Sequence, residues 1–235
     1  MIDFAAATDR ATPGLERSQV GEWILRNGLG ETGRANSATA HGDPGLPMAE
    51  AIDAVERWFA ARGRPSRFQV FDETPAEVGA ELDRRGYDTG AITDVLVAPV
   101  DAVSLAPPTT WTVEIVASMP SFLRRELADA RAAEMLGADL PRWFAIASRG
   151  GEVRASGMAL GDGPLVGIFA VRTDPDQQGQ GAGSAVMAGL LDEGRRRGAT
   201  TAWLQVEASN RRAADWYCRL GFERRTGYRY RHQFA

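Results

Sequence analysis

Residues Val171 to Met187 read VRTDPDQQGQGAGSAVM: an apolar run breaks at a proline, three glycines fall at every second position, and a small-residue helix follows. Glycine in a loop costs conformational entropy, so Gly179, Gly181 and Gly183 mark backbone that bends unusually or approaches a ligand closely. Strand, glycine loop and helix start in that order suit a phosphate, because the first amides of a helix and its dipole attract an anion. The P-loop pattern GxxxxGK[ST] fails outright, since all 27 basic residues are arginine and there is no lysine. The dinucleotide pattern GxGxxG fits poorly: the glycines form GxGxG, and no acidic residue ends a strand about twenty residues on, where Thr200 to Trp203 lie. A pyrophosphate cradle of backbone amides remains, with a tight turn as the alternative use of these glycines.

The rest of the chain must position that loop. Its 235 residues suffice for one large domain or two small ones. No apolar stretch approaches eighteen residues and MIDFAAATDR lacks the pattern of a signal peptide, so a cytoplasmic protein without a membrane span is expected. One cysteine, Cys218, excludes an internal disulfide and a cysteine-based metal cluster, and with only His41 and His232 no metal is expected. Residues 1–106 carry ten Arg against seventeen acids, net −7, whereas 107–235 carry seventeen against fourteen, net +3. The half with the glycine loop suits a small polyanion, but +3 is too little to argue for nucleic acid.

The proline-bearing stretch Ala98 to Thr110 separates two patterned segments, giving a small α/β domain at 1–106 and a second domain at 107–235. In the second, TVEIVA, RWFAIAS, RASGMAL and LVGIFAV read as strands, and PSFLRRELADARAAEML as an amphipathic helix with Phe122, Leu123, Leu127 and Ala130 on one face. After the glycine loop come a helix at Ser184–Arg197, the strand AWLQVEA, a helix at Arg211–Leu220 and a strand in TGYRYRHQ. The order is βαβββαβαβ. In the first half, EWILRNG and TGRANSATA read as a hairpin, followed by a helix over MAEAIDAVERWFAARG, the strand SRFQVF, a helix over PAEVGAELDRRG and the strand ITDVLVA. The ends of the halves superimpose: ARG before Gly63 matches RRG before Gly198, FQV matches LQV with a one-residue offset, and RRGY matches RLGF. Gly63 to Gly86 and Gly198 to Gly221 are each 23 residues, which suits a diverged internal repeat, the alternative being a coincidence of two common strand–helix patterns.

The run Q-x-x-G-x-G at Gln178 to Gly183, after VRTDP and before LQVEASNRRAADWYCRLGF, resembles the GNAT superfamily of N-acetyltransferases. Within it the second stretch is similar to the N-terminal acetyltransferases of ribosomal proteins. The resemblance covers about Trp111 to His232 and implies a mixed, mostly antiparallel α/β sheet splayed open beside the fourth strand; if the repeat is genuine, the smaller α/β first half is a degenerate copy of it. It implies acetyl-coenzyme A as co-substrate, with pantetheine along Val171, Arg172 and Thr173 and pyrophosphate on Gly179, Gln180, Gly181, Ala182, Gly183 and Ser184. Asn210 and Tyr217, two helical turns apart, would face the coenzyme from one helix face. Tyr217 takes the place of the general acid, a phenol of ordinary pKa about 10 being close to an alkyl thiol. Its alternative is a core aromatic, and that of Asn210 an ordinary N-cap. Where ribosomal-protein acetyltransferases carry a glutamate this chain has Gln205, which accepts no proton; Glu207, on the same strand face, is the candidate base, or else a solvated carboxylate. Cys218 reads as a buried structural thiol. The expected reaction is acetyl transfer to a small-molecule or peptide amine, with a non-catalytic acyl-coenzyme A sensor as the alternative and the oligomeric state left open.

Overall fold

The helices of the first half begin at a polar cap or a proline and bury one stripe. Helix α1 (Phe4–Ala11) is capped by Asp3, whose carboxylate accepts from the Ala6 amide at 2.9 Å. Helix α2 (Met48–Ala60) starts after Pro47 and buries Ala51, Ile52, Val55 and Phe59, the spacing of one helical face. Helix α3 (Ala76–Arg84) starts after Pro75 and buries Val78 and Leu82. The structure, a computed structural model, describes residues 2–28, 32–105, 110–126 and 139–233.

The chain divides into two compact units. The first comprises Met1–Val95, Glu207–Ser209 and Thr226–Ala235. In it β1 (Glu16–Val20), β2 (Trp23–Asn27) and β3 (Ala38–Thr39) pair antiparallel in succession, and β3 lies parallel to β4 (Arg67–Phe71). The hairpin expected from EWILRNG and TGRANSATA is the β2–β3 pair, reduced to two residue pairs. Helix α1 and strand β1 were not legible, ERSQV being too polar to read as a strand. The core of this unit gathers Trp23, Leu25, Ile52, Val55, Phe59, Phe68 and Leu82.

The second unit comprises Leu96–Val206 and Asn210–Arg225. Strand β6 (Thr112–Val116) is followed by α4 (Ser121–Glu126), β7 (Arg142–Arg149), β8 (Glu152–Asp162), β9 (Leu165–Thr173), α5 (Ala182–Arg196), β10 (Thr201–Glu207), α6 (Arg211–Arg219) and β11 (Glu223–His232), the order expected. Strands β6 to β9 pair antiparallel in sequence and β9 lies parallel to β10. Helix α5 packs on β6 to β9 through Ala185, Val186 and Leu190, which are fully buried. Phe122 and Leu123 of α4 are buried as expected, while Leu127 and Ala130 lie outside the described residues.

The internal repeat holds in three dimensions. Gly63, Gly86, Gly198 and Gly221 all have positive φ. After each, the next amide bonds back five residues, Arg64 to Phe59, Tyr87 to Leu82, Ala199 to Gly194 and Phe222 to Tyr217, the hydrogen bond of a Schellman helix end. The parallel ladders end in the same register, at Thr39 with Gln69 and at Ile168 with Leu204. Gln69 is therefore equivalent to Leu204 and not to Gln205, so the FQV–LQV match, which needs a one-residue offset, does not hold.

The compact units do not follow the linear boundary expected at 106/107. From Thr226 onward β11 belongs to the first unit, where it pairs antiparallel with β4 from Tyr228–Phe71 to His232–Arg67. From Leu96 onward β5 (Asp88–Pro99) belongs to the second, where the Val100 amide bonds the Thr200 carbonyl at 2.9 Å. Each repeat thus gives up part of its closing strand. Both strands occupy the same place in the repeat, so no local pattern says which partner each will take.

Candidate functional site

The site begins where β9 leaves β10. Their parallel ladder runs from Leu165–Thr201 to Ile168–Leu204 and stops. On the other edge of β9, Ser156 pairs with Arg172 and Met158 with Phe169, so Ala170 and Val171 together oppose Gly157 alone. This is a β-bulge, which bends the bulged strand. Ala170 pays for it with φ +51°, a left-handed conformation costing a non-glycine residue roughly 1 kcal/mol or more. Nothing about an alanine announces this in the sequence.

Beyond the bulge, β9 runs through Arg172 and Thr173 into a 3₁₀ turn at Pro175–Gln177 and then the glycine loop. Gly179 and Gly181 have φ of +76° and +84°, and Gly181 caps α5 with no side chain on the helix amides. Helix α6 covers the opening. Asn210 is its N-cap, accepting from the Ala213 amide at 3.2 Å, so the ordinary capping role is present. These elements enclose a cleft of 590 Å³ lined by Val171, Arg172, Thr173, Gly179, Gly181, Gly183, Ser184, Asn210 and Tyr217, together with Trp216 and two further arginines. Gln180 and Ala182 of the expected set do not line it: the Gln180 carbonyl accepts from the Trp111 indole, and Ala182 starts the buried face of α5. Glu207 does not line it either. It is exposed at the end of β10, is grouped with the first unit, and its charge acts there on Arg34. Cys218 is exposed rather than buried, because α6 buries no residue fully.

Gln177, Gln178, Ala213 and Trp216 line the cleft as well, and Arg212 and Arg219 are the charged lining residues that sequence reasoning missed. Their seven-residue spacing on α6 was the available signal. Neither they nor Arg172 forms an ion pair with a described residue, and no carboxylate among the described residues lines the cleft, which is therefore suited to an anion. A second hollow of 710 Å³, lined by Met119, Pro120, Phe122 and Arg125 among others, differs in that its Arg154 is bonded to Asp174 at 3.1 Å and to Glu152. There two carboxylates share Arg154, and Arg125 lies 5.8 Å from the centroid of the Phe122 ring.

Tyr217 is half-buried, with ring centroids 4.8 Å from Trp216 and 6.0 Å from Phe222, so it does pack as an aromatic. Burial pushes its phenol up to about 12, while the Arg172 guanidinium pulls the other way. The group is further from an alkyl thiol than its ordinary value suggested, and it keeps its proton throughout the neutral range.

A splayed parallel pair, a bulge at the split and an uncapped helix behind a glycine loop define the fold of the GNAT acetyltransferases. Residues 2–231 match the family model described as "Probable histone acetyltransferase Rv0428c C-terminal", and the chain belongs to that family. It is 46% identical over 59 residues to the [ribosomal protein bS18]-alanine N-acetyltransferase of Escherichia coli strain K12, a match covering 25% of this chain and 40% of that protein's length. It is 29% identical over 238 residues to a mycothiol acetyltransferase of Rhodococcus jostii, covering 94% of this chain and 72% of the relative. A GCN5-related N-acetyltransferase from Kribbella flavida has the same fold, with a TM-score of 0.73 at 19% identity over 99% of this chain and 95% of that one.

Proposed function

We propose that this chain transfers an acetyl group from acetyl-coenzyme A directly to a primary amine. The observation that carries the reading is the cleft itself, which joins the open edge of β9, the uncapped start of α5, three arginines and the Tyr217 hydroxyl. The coenzyme fits the residues present. Val171, Arg172 and Thr173 lie past the end of the β9–β10 ladder, where their backbone can bond a pantetheine amide, and the loop amides and guanidiniums suit a pyrophosphate. When bound it would supply an acetyl thioester, electrophilic at carbon and with a thiol as leaving group. A backbone N–H at the bulge would polarise the thioester carbonyl of the bound coenzyme. Tyr217 would give its hydroxyl proton to the sulfur as the C–N bond forms and the C–S bond breaks, the amine would lose its own proton to solvent, and solvent would return one to the phenolate.

One relative acts on an alanine of a ribosomal protein and another is named for mycothiol, so both a peptide N-terminus and a small-molecule amine belong among the acceptors to be tried. The test is thiol release from acetyl-coenzyme A over a panel of amines, polyamines and peptides, in which at least one acceptor should support turnover. Tight coenzyme binding with no release across the panel would instead favour the sensor, which Gln205 in place of the family's glutamate keeps in play. With no carboxylate among the described lining residues, the amine reacts as its neutral form. The rate should therefore fall on the acid side with the amine's own ionisation, near pH 8 for a peptide N-terminus. Glu207→Gln is expected to leave that limb in place, and a flattened limb would make Glu207 the base.

One coenzyme per chain is expected. In the first unit the loop equivalent to the cradle is GDPGLP, Gly42–Pro47, and the chain's own carboxylates already hold its amides: Glu22 accepts from the Asp43 amide at 2.5 Å and Asp43 from the Gly45 amide at 2.8 Å. At the end of the β3–β4 ladder, where the equivalent strands of the second unit part, buried Arg26 bonds Thr39 at 2.6 Å and Gln69 at 2.9 Å and ties the strands together. Pro75 stands where the second unit has Asn210, and Leu82 where it has Tyr217, so neither a polar cap nor a proton is available. Calorimetric titration of the intact protein should give a stoichiometry near one, and a value near two would refute this account of the first unit.

A further inference from the structure

We infer that Trp111 and Arg149 are positioning residues that hold the glycine loop in its anion-binding form before any ligand arrives. The inference rests on the loop being a pyrophosphate cradle. Gln180 stands between the two left-handed glycines, Gly179 and Gly181, and is held at three atoms. Its carbonyl accepts from the Trp111 indole N–H at 2.9 Å, its Oε1 accepts from Arg149 Nη1 at 2.6 Å, and its Nε2 donates to the Asp176 carbonyl at 2.9 Å. Trp111 is itself buried, and the Arg149 guanidinium lies 3.9 Å from the centroid of its ring. The other Arg149 Nη reaches the Thr110 hydroxyl at 3.2 Å, so the arginine, the indole and the loop form one closed set of contacts.

The consequence follows from the peptide bond. A trans peptide is planar, and its C=O and N–H point in opposite directions. Fixing the Gln180 carbonyl on the buried indole therefore aims the Gly181 amide the other way, toward the cleft that Gly181 lines. Gly181, on one side of that plane, could otherwise let it turn over, since both signs of φ are open to glycine. Rotation would present a carbonyl oxygen to the anion in place of an N–H. A loop already locked in its bound form does not pay the ordering cost when the ligand binds. Gln180 thus serves the cradle without lining it, which explains why a residue of the glycine motif faces away from the cleft.

Because no acceptor is needed to read it, binding is the measurement: coenzyme A by calorimetry and pantetheine, which lacks the pyrophosphate, by competition. Trp111→Phe keeps a ring under Arg149 and removes the N–H, and Arg149→Met removes the fork that holds Gln180. Each should weaken coenzyme A about tenfold, equivalent to roughly 1.4 kcal/mol, and leave pantetheine unchanged. Arg149→Lys, which retains one donor, should recover part of the loss. Equal weakening of both ligands would reveal a general effect on the fold and overturn the proposal, as would unchanged coenzyme A affinity in folded Arg149→Met. If the unsubstituted protein itself binds coenzyme A no better than pantetheine, the cradle reading fails first, and the positioning role with it.

Discussion

Gly183→Val is expected to abolish acetyl-coenzyme A binding in a protein that remains folded. Gly183 lies in the first turn of α5 with an ordinary helical φ, unlike Gly181, where any side chain would be strained by a φ of +84°. A Cβ at 183 would sit 3.4 Å from Trp216 and 3.6 Å from the Thr173 hydroxyl, ordinary contact distances, so the position tolerates one carbon. Valine adds two more. They must go between Trp216 and Thr173, both of which line the cleft, or into the space where the first amides of α5 meet an anion. The helix itself does not suffer, because glycine is the poorer helix former by a few tenths of a kcal/mol, ~0.3. Calorimetry should therefore detect no binding while the circular dichroism melt stays close to that of the unsubstituted chain. Unchanged affinity in a folded variant would remove the pyrophosphate from this loop.

That position could be singled out from sequence because glycine, proline and helical periodicity are local signals. Gly179, Gly181, Pro47, Pro75 and the apolar stripe of α2 each state their conformation within a few residues, and signals of the same kind give the element order of the second half. Features fixed by distant contacts were not legible. The bulge at Ala170 depends on how β8 and β9 register, and alanine is silent about it. The exchange of β5 and β11 depends on a choice between two equivalent sheet positions, which is made by distant contacts and not within either strand. Gln180 looked like a cradle residue because it stands inside the glycine motif, yet its role is set by Trp111, 69 positions away. Glu207 is the candidate because it lies two residues from the family's glutamate position on the same strand face, and alternation says which side of a strand a residue occupies, not whether a cleft extends that far.

Tyr217→Phe should lower kcat on the order of 10²-fold while coenzyme affinity changes little, since the ring stays in contact with Trp216 and Phe222 and only the proton is lost. The pH dependence separates this from a packing effect. A phenol raised to about 12 by burial is protonated at every pH below that value, so its ionisation imposes no alkaline fall in rate across the neutral and mildly alkaline range. The unsubstituted enzyme should rise with the amine's ionisation and then level off, and Tyr217→Phe should show the same profile at a lower plateau. The raised value also makes the group a weaker acid toward a thiolate, and the charge of Arg172 is what opposes that rise. Arg172→Gln should accordingly push the phenol higher still and slow the chemical step several-fold. Combined with Tyr217→Phe, it should slow the step no further, because no proton is left for the charge to act on. Additive losses in the double variant would assign Arg172 a role independent of Tyr217, and an unchanged kcat in Tyr217→Phe alone would return the ring to the packing it shares with Phe222.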